Sequence, residues 1–167
     1  MSTPASVVQI FLAPGELYFG QSPERIRTLL GSCVAITLWH PLLKLGGMCH
    51  FMLPNRPKKT NAALDGRYAD EAIELFLHEI RHNKTHPTEY QAKIFGGGNM
   101  FPSIHKDSHC LNIGARNCEA ARQLLGQHRF QLVSEDLSGI GHRVLMFDLE
   151  NGAAWLKHTT EGLQRTP

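Results

Sequence analysis

Short runs of β-branched and apolar residues alternate along the chain with segments of helical periodicity, and Gly and Pro separate them. No segment repeats elsewhere in the chain. We predict strands at residues 7–11, 18–19, 26–30, 33–39, 45–53, 90–95, 131–133 and 143–148. This mixture is typical of an α/β domain.

Two segments carry apolar side chains at the spacing of one helix face. The first covers residues 68–82, where Phe76 and Ile80 fall on the apolar side and Glu74 and His78 on the polar side. The second covers residues 115–128. Both predict amphipathic helices that pack against a core. The last dozen residues are polar, and we expect them to be frayed.

The strands at 33–39 and 45–53 are separated by a short polar turn that begins at Pro41. Two strands joined by so short a turn favour a hairpin, which places residues distant in sequence side by side. Cys33 and His50 lie 17 residues apart, one on each predicted strand. A hairpin would bring them within hydrogen-bond range.

The composition excludes several classes of protein. A chain of 167 residues with 42% hydrophobic residues fits one globular domain spanning residues 1–167. A net charge of +2 argues against a nucleic-acid partner. Four cysteines without a CxxC pair indicate reduced thiols rather than a disulfide scaffold. With no secretory signal and no apolar run of membrane-spanning length, we expect a cytoplasmic protein without membrane insertion.

Cys33 is the residue that most suggests chemistry. It follows Gly31 and Ser32 at the start of a strand, where its sulfur could be exposed and nearby backbone N–H groups could be free. Covalent acyl transfer needs both, and His50 could take the thiol proton. From the residues alone, an ordinary buried cysteine is the commoner interpretation of Cys33.

Other candidate sites are weaker. His105, His109, Cys110 and Cys118 can bind metals, but their spacing matches no standard zinc template, so we predict no metal site. The run at residues 96–98 lacks the spacing of a nucleotide-binding loop and predicts a turn beside the site. Strand alternation predicts that Cys49 faces away from its neighbour His50 and lies in the core.

Four ordered segments carry a family resemblance: Leu-Leu-Gly-Ser-Cys-Val-Ala at residues 29–35, Gly-Gly-Met-Cys-His-Phe-Met-Leu-Pro at 46–54, Lys-Ile-Phe-Gly-Gly-Gly-Asn-Met-Phe at 93–101 and Asn-Ile-Gly-Ala-Arg-Asn at 112–117. Together they resemble the chemoreceptor glutamine deamidase family, CheD, over roughly residues 7–150. Arg116 and Asn117 belong to the last segment, where a structural role and a functional one are both open.

The resemblance implies a fold and an activity. The fold is a single-domain three-layer sandwich of the α/β class, a β-sandwich with flanking helices. The activity is hydrolysis of glutamine side-chain amides in methyl-accepting chemotaxis proteins, which releases ammonia and leaves glutamate. Cys33 would be the nucleophile, His50 the base, and backbone donors near Ser32 the oxyanion site, with no cofactor or metal.

The resemblance also implies partners. These are the cytoplasmic helical region of membrane chemoreceptors and, for some members of the family, a CheC-type chemotaxis phosphatase. The basic set Arg56, Lys58 and Lys59 is either a solvated loop or a contact for an acidic receptor surface.

The third catalytic position departs from the family pattern. The family places a threonine in the strand before the Gly-Ser-Cys segment, but an ungapped alignment puts Arg27 there, and Thr28 follows one residue later. Because strand side chains alternate, this offset would point Thr28 away from the site unless a bulge or shift intervenes. Thr28 is therefore either the third member of the site or an ordinary strand residue.

Two other functions stay open. The departure at Arg27 would suit a non-catalytic binding module of the same fold that occupies chemoreceptors or a CheC-type phosphatase. A different Cys-His acyl hydrolase, such as a peptidase or a transglutaminase, would share the nucleophile and the base.

Overall fold

The computed structural model describes residues 6–58, 60–101 and 112–160. Within these ranges nine strands and two α-helices follow one another in the chain. The strands are β1 (Gln9–Phe11), β2 (Leu17–Gln21), β3 (Arg25–Leu30), β4 (Val34–His40), β5 (Leu45–Phe51), β6 (Gln91–Gly96), β7 (Gln131–Leu137), β8 (His142–Asp148) and β9 (Ala154–Thr159). The helices are α1 (Ala69–His82) and α2 (Ile113–Gln127), with a short 3-10 turn at Pro87–Glu89.

The strands form two mixed sheets. The four-stranded sheet has the order β1-β3-β8-β9, and the five-stranded sheet has the order β2-β5-β4-β6-β7. Pairing is antiparallel except between β1 and β3 and between β6 and β7. The predicted hairpin is present as β4 and β5, whose register pairs Ala35 with His50.

The two sheets and the helices form three layers. Ile26 and Leu30 of β3 pack against Met48 of β5 in the core between the sheets, together with Leu145 and Phe147 of β8. A second core lies between the five-stranded sheet and the helices. This arrangement confirms the predicted α/β three-layer sandwich with flanking helices. Strand β4 is buried along almost its whole length because it contributes to both cores.

Helix α1 shows why the periodic segments became helices. Ala69, Ile73, Phe76 and Ile80 recur at helical spacing and are all buried in the core beneath the five-stranded sheet. Asp70 and Glu71 in the first turn complement the positive end of the helix dipole. The sequence therefore placed this helix correctly because burial and helical propensity agree.

The predictions missed part of the C-terminal region. The last dozen residues were expected to be frayed, but β9 extends to Thr159 and pairs with β8 along its length. Strand β7 is also longer than predicted. Both are strands at the edge of a sheet with largely exposed side chains, so they lack the continuous apolar pattern used to predict strands. Within the described ranges, neither helix has the length and apolar character needed to cross a bilayer.

Candidate active site

Cys33 lies in a short loop, residues 31–33, that carries the chain from one sheet to the other. The loop leaves β3 of the four-stranded sheet and enters β4 of the five-stranded sheet at the same end of the sandwich. Cys33 is half-buried there. The Cys33 loop is therefore anchored by a strand at each end, while Cys33 itself remains partly exposed to solvent.

Three consecutive carbonyl groups of this loop accept hydrogen bonds. Gly98 N donates to Gly31 O and Gly97 N to Cys33 O, each at 2.9 Å. Asn117 Nδ2 on α2 donates to Ser32 O at 3.2 Å. Within the part of the chain that the structure describes, the backbone N–H groups of Ser32 and Cys33 donate to no other residue, and the Cys33 N–H lies against its own thiol.

The glycines at 97 and 98 permit this close approach. Gly97 has φ +66°, and a Cβ there would lie 2.2 Å from Cys118 Sγ. A Cβ on Gly98 would lie 2.4 Å from Gly141 O. The glycine run therefore serves as a backbone support for the Cys33 loop, in line with the turn predicted beside the site.

His50 on β5 points into the space between the sheets. Its paired residue on β4 is Ala35, so Cys33 is its diagonal neighbour on the same face of the sheet. Cys33 and His50 line one cavity of about 410 Å³, together with Leu29, Met100 and His142 among others. His50 itself is buried.

The expected hydrogen bond between the two side chains is absent from this arrangement. His50 Nε2 is buried and has no hydrogen-bond partner among the described residues, Cys33 Sγ included. Catalytic hydrogen bonds are often long or poorly aligned without substrate.

Thr28 holds the other nitrogen of His50. Thr28 Oγ1 lies 2.8 Å from His50 Nδ1 and donates to Leu12 O at 2.8 Å. A hydroxyl has one proton, and Leu12 O takes it, so Nδ1 must be the donor to Oγ1. The neutral ring therefore carries its proton on Nδ1 and leaves the lone pair on Nε2.

The offset at Arg27 does not remove Thr28 from this cluster. Thr28 is fully buried and faces the opposite sheet, whereas Arg27 is exposed. The alternation of Ile26 and Leu30 with Arg25 and Arg27 marks the buried face of β3 in the sequence itself. That signal places Thr28 on the inner face, and the ungapped alignment overlooked it.

Burial keeps both reactive groups neutral. It lowers the pKa of His50 from 6.5 to about 4 and raises the pKa of the Cys33 thiol. A thiol acidified by a charged His50 is therefore not the state of this arrangement. Neutral imidazole can instead take the thiol proton as a general base during attack.

A second cavity also adjoins Cys33. It has a volume of about 280 Å³, shares Ser32 and Cys33 with the first, and is lined further by Leu53, Arg67 and Ile113 among others. Leu29, Leu53, Phe101 and Ile113 are exposed apolar residues that line the cavities around Ser32 and Cys33. The nucleophile thus lies within an apolar rim.

Comparison with known proteins identifies the family. A family model described as "CheD chemotactic sensory transduction" matches residues 52–158. A protein of Pseudomonas savastanoi pv. phaseolicola named "Probable chemoreceptor glutamine deamidase CheD" is 52% identical over 95% of this chain and 89% of its own length. The chain belongs to the CheD family.

More distant CheD relatives cover the chain equally well. A protein of Pseudomonas fluorescens with the same printed name is 48% identical over 98% of this chain and 92% of its own length. A "Probable chemoreceptor glutamine deamidase CheD 1" of Leptospira interrogans is 38% identical over 92% of this chain and 95% of its own length. A solved structure, Bacillus licheniformis hypothetical protein YfiH, matches 72% of this chain and 49% of its own at 16% identity and a TM-score of 0.46, and we infer nothing from it.

Among the described residues of this CheD chain, the candidates Cys49 and Arg56 lie apart from the cluster of Thr28, Cys33 and His50. Cys49 is fully buried on the helix side of its sheet, and burial raises the pKa of its thiol to about 12. Arg56 forms two hydrogen bonds with Glu71, so its charge is already paired. His105, His109, Cys110 and Lys59 lie outside the described residues.

Sequence reasoning did not assign three other residues to the CheD site. Leu12 supplies the carbonyl that receives the Thr28 proton, and Met100 and His142 line the cavity with Cys33. Leu12 acts through its backbone, so its side chain carries no signal of this role. His142 is brought to the site by the pairing of β8 with β3.

Proposed function

We propose that the chain is a chemoreceptor glutamine deamidase that acts on the cytoplasmic helical region of membrane chemoreceptors. The names of its relatives support the reaction, and the thiol of Cys33, the imidazole of His50 and the nearby backbone N–H groups fit it. The substrate would be a glutamine side-chain amide, which the apolar rim would surround when a receptor helix docks.

The reaction would begin with proton transfer from Cys33 Sγ to His50 Nε2. The sulfur attacks the glutamine amide carbon, an S–C bond forms, and the carbonyl electron pair moves onto oxygen. The N–H groups of Ser32 and Cys33, which donate to no other residue among those described, would bind that oxyanion. His50 then returns the proton to the leaving nitrogen, and ammonia departs as the C–N bond breaks.

The second half of the reaction would hydrolyse the thioester. His50 Nε2 takes a proton from water, whose oxygen attacks the thioester carbonyl, and the same N–H donors hold the second oxyanion. The C–S bond breaks, Cys33 recovers its proton from His50, and glutamate is released. Each electron pair and proton returns to its starting place on the enzyme.

The observation that carries this proposal is the hydrogen-bond chain from His50 through Thr28 to Leu12. It fixes the ring and leaves Nε2 free to accept a proton in the cavity that Cys33 shares. A non-catalytic binding module would have no use for such a chain, so the geometry favours the enzyme. A CheC-type partner stays a prediction of the resemblance, and a cytoplasmic location stays a prediction from the sequence pattern.

The test is mass spectrometry of a receptor cytoplasmic fragment incubated with the protein. We expect wild type to convert specific glutamines to glutamate and Cys33→Ala to convert none. Cys49→Ala is the matched control, because it removes a thiol that faces the helix layer, and it should stay active. Conversion by Cys33→Ala would disprove the mechanism.

The same experiment separates the other Cys-His hydrolases. A peptidase would cut the receptor fragment, whereas a deamidase leaves its backbone intact. A transglutaminase would attach an added primary amine to the glutamine side chain instead of leaving a glutamate residue. Intact, amine-free product together with ammonia is the expected result.

A further inference from the structure

Asn117 is buried in the second helix but reaches the loop that carries Cys33. Its side-chain nitrogen donates to Ser32 O at 3.2 Å and to Met52 O at 2.9 Å. Ser32 precedes the nucleophile, and Met52 lies two residues after His50. One amide group therefore ties together the two chain segments that hold Cys33 and His50.

Both contacts of the amide nitrogen are carbonyl oxygens, which can only accept. The Asn117 amide must therefore present its nitrogen, and not its oxygen, to them. Its oxygen, Oδ1, is buried and has no partner within the described part of the chain. A buried acceptor without a partner destabilises a fold. This cost argues that Asn117 is present for what its nitrogen holds rather than for stability.

The Ser32 carbonyl determines where the Cys33 N–H points. The peptide unit between the two residues is planar and trans, so its C=O and N–H point in opposite directions. Since Asn117 draws the carbonyl toward α2, the N–H is directed away from that helix. In the same way, the bond from Gly98 N to Gly31 O orients the N–H of Ser32.

We propose that Asn117 is a positioning residue that sets the oxyanion site by holding the Ser32 carbonyl and thereby aiming the Cys33 N–H. The role rests on the proposed deamidation. Asn117 touches neither substrate nor sulfur; it acts through one peptide unit. Preorganised donors of this kind stabilise charge that appears only as the tetrahedral intermediate forms.

The test compares two reactions of Cys33. Deamidation of a receptor fragment needs an oxyanion site, whereas alkylation of the thiol by iodoacetamide forms no oxyanion. For Asn117→Ala we expect kcat for deamidation to fall by about tenfold to a hundredfold with KM little changed. The alkylation rate of the Cys33 peptide should stay within about twofold of wild type, since displacement at sulfur forms no oxyanion and burial affects the thiol pKa more than the Cys33 N–H does.

Ala121→Gly is the matched control, because it weakens the same helix at a buried position one turn later without removing a donor. It should retain the kcat of wild type. If Asn117→Ala does not fold, Asn117→Ser, which keeps a small polar side chain, takes its place and the same ratio of the two rates is compared.

The outcomes separate this role from the proposed function. Wild-type kcat in the Asn117 variant would overturn the positioning role and leave the deamidase intact. A parallel fall in deamidation and alkylation would also overturn it, because general disorder of the site would then be the cause. Absence of deamidation by wild type itself would overturn the proposed function and this role with it.

Discussion

Thr28 is a single hydroxyl between two groups that compete for its one proton. Leu12 O accepts that proton, so Thr28 Oγ1 can only accept from His50 Nδ1. This arrangement selects one tautomer of the imidazole and leaves the lone pair on Nε2. In the proposed reaction, this buried hydrogen bond prepares His50 to act as a base.

Replacing Thr28 by Val should therefore impair catalysis more than folding. The variant keeps the shape of the side chain but loses the acceptor for Nδ1, and we expect kcat for deamidation to fall by at least about tenfold. Thr28→Ser is the control, since it keeps the hydroxyl and should retain most of the activity. Steady-state kinetics on a receptor fragment provide the measurement, and equal kcat values for the two variants would contradict the role of Thr28.

His50 should also make the stability of the protein depend on pH. Its pKa is about 4 in the fold against 6.5 for the free side chain, so between these values only the unfolded chain binds the proton. Stability contributed by neutral His50 is present above pH 6.5 and is lost as pH falls toward 4. The loss amounts to about 3 kcal/mol over this window.

Urea unfolding of wild type and His50→Gln at several pH values measures the contribution of His50 to the pH dependence of stability. Glutamine does not titrate, so the difference in unfolding free energy between the two proteins should change across the window from pH 6.5 to 4. A constant difference would show that the pKa of His50 is not lowered in the fold.

At the scale of elements, Gly97 and Gly98 after β6 and the start of α2 together support the Cys33 loop. Gly97 and Gly98 donate to the loop carbonyls, and Gly97 packs against Cys118 of α2. Since the atoms are in close contact here, the packing leaves no room for a side chain at Gly97 or Gly98. The position of the Cys33 loop therefore depends on how β6 and α2 pack together.

A pair of glycine variants tests this support. Gly97→Ala places a methyl group at a positive φ and against Cys118 Sγ, so it should destabilise the protein by about 1–3 kcal/mol and reduce deamidation. Gly126→Ala lies on the exposed end of α2 with nothing within 4 Å of its new Cβ. It should stabilise the protein by up to about 1 kcal/mol and leave activity unchanged.

Thermal unfolding followed by circular dichroism gives the order of stability. We expect the Gly126→Ala protein to unfold at the highest temperature, wild type next, and Gly97→Ala at the lowest. If Gly97→Ala were as stable and as active as wild type, the loop would not rely on the close approach seen at this glycine.

For the molecule as a whole, the site lies at one end of the sandwich and the β4–β5 turn at the other. Exposed apolar residues occur at both ends, with Ile113 on the cavity rim and Leu42 in the turn. Only the rim adjoins Cys33. A receptor helix that presents a glutamine to the nucleophile must therefore cover the rim.

Ile113→Ser should weaken substrate binding without affecting the chemistry. Losing one buried apolar contact corresponds to roughly 1 kcal/mol, so KM for a receptor fragment should rise about fivefold while kcat is retained. Leu42→Ser changes a residue that is 88% exposed at the far end and should leave both parameters unchanged. Equal effects from the two variants would contradict docking at the rim.

Sequence patterns predicted most elements because local burial and periodicity agreed. The hairpin of β4 and β5 and both helices lay close to their predicted bounds, and the hairpin brought Cys33 and His50 into one cavity. Strand β9 was missed because its exposed residues at the sheet edge carry no continuous apolar run. An edge strand is held by backbone pairing, which side-chain patterns reveal poorly.

The sequence pattern by itself determined the α/β class, the hairpin and the placement of a cysteine and a histidine on its two strands, and the family resemblance implied the layers. Tertiary structure alone decided that Thr28 of one sheet meets His50 of the other, and that Asn117 reaches the Ser32 carbonyl from a helix 85 residues away in the chain. Alternation along a strand tells which side chains share a face. It does not tell which residue of another sheet or helix will lie opposite, because packing between layers sets that distance.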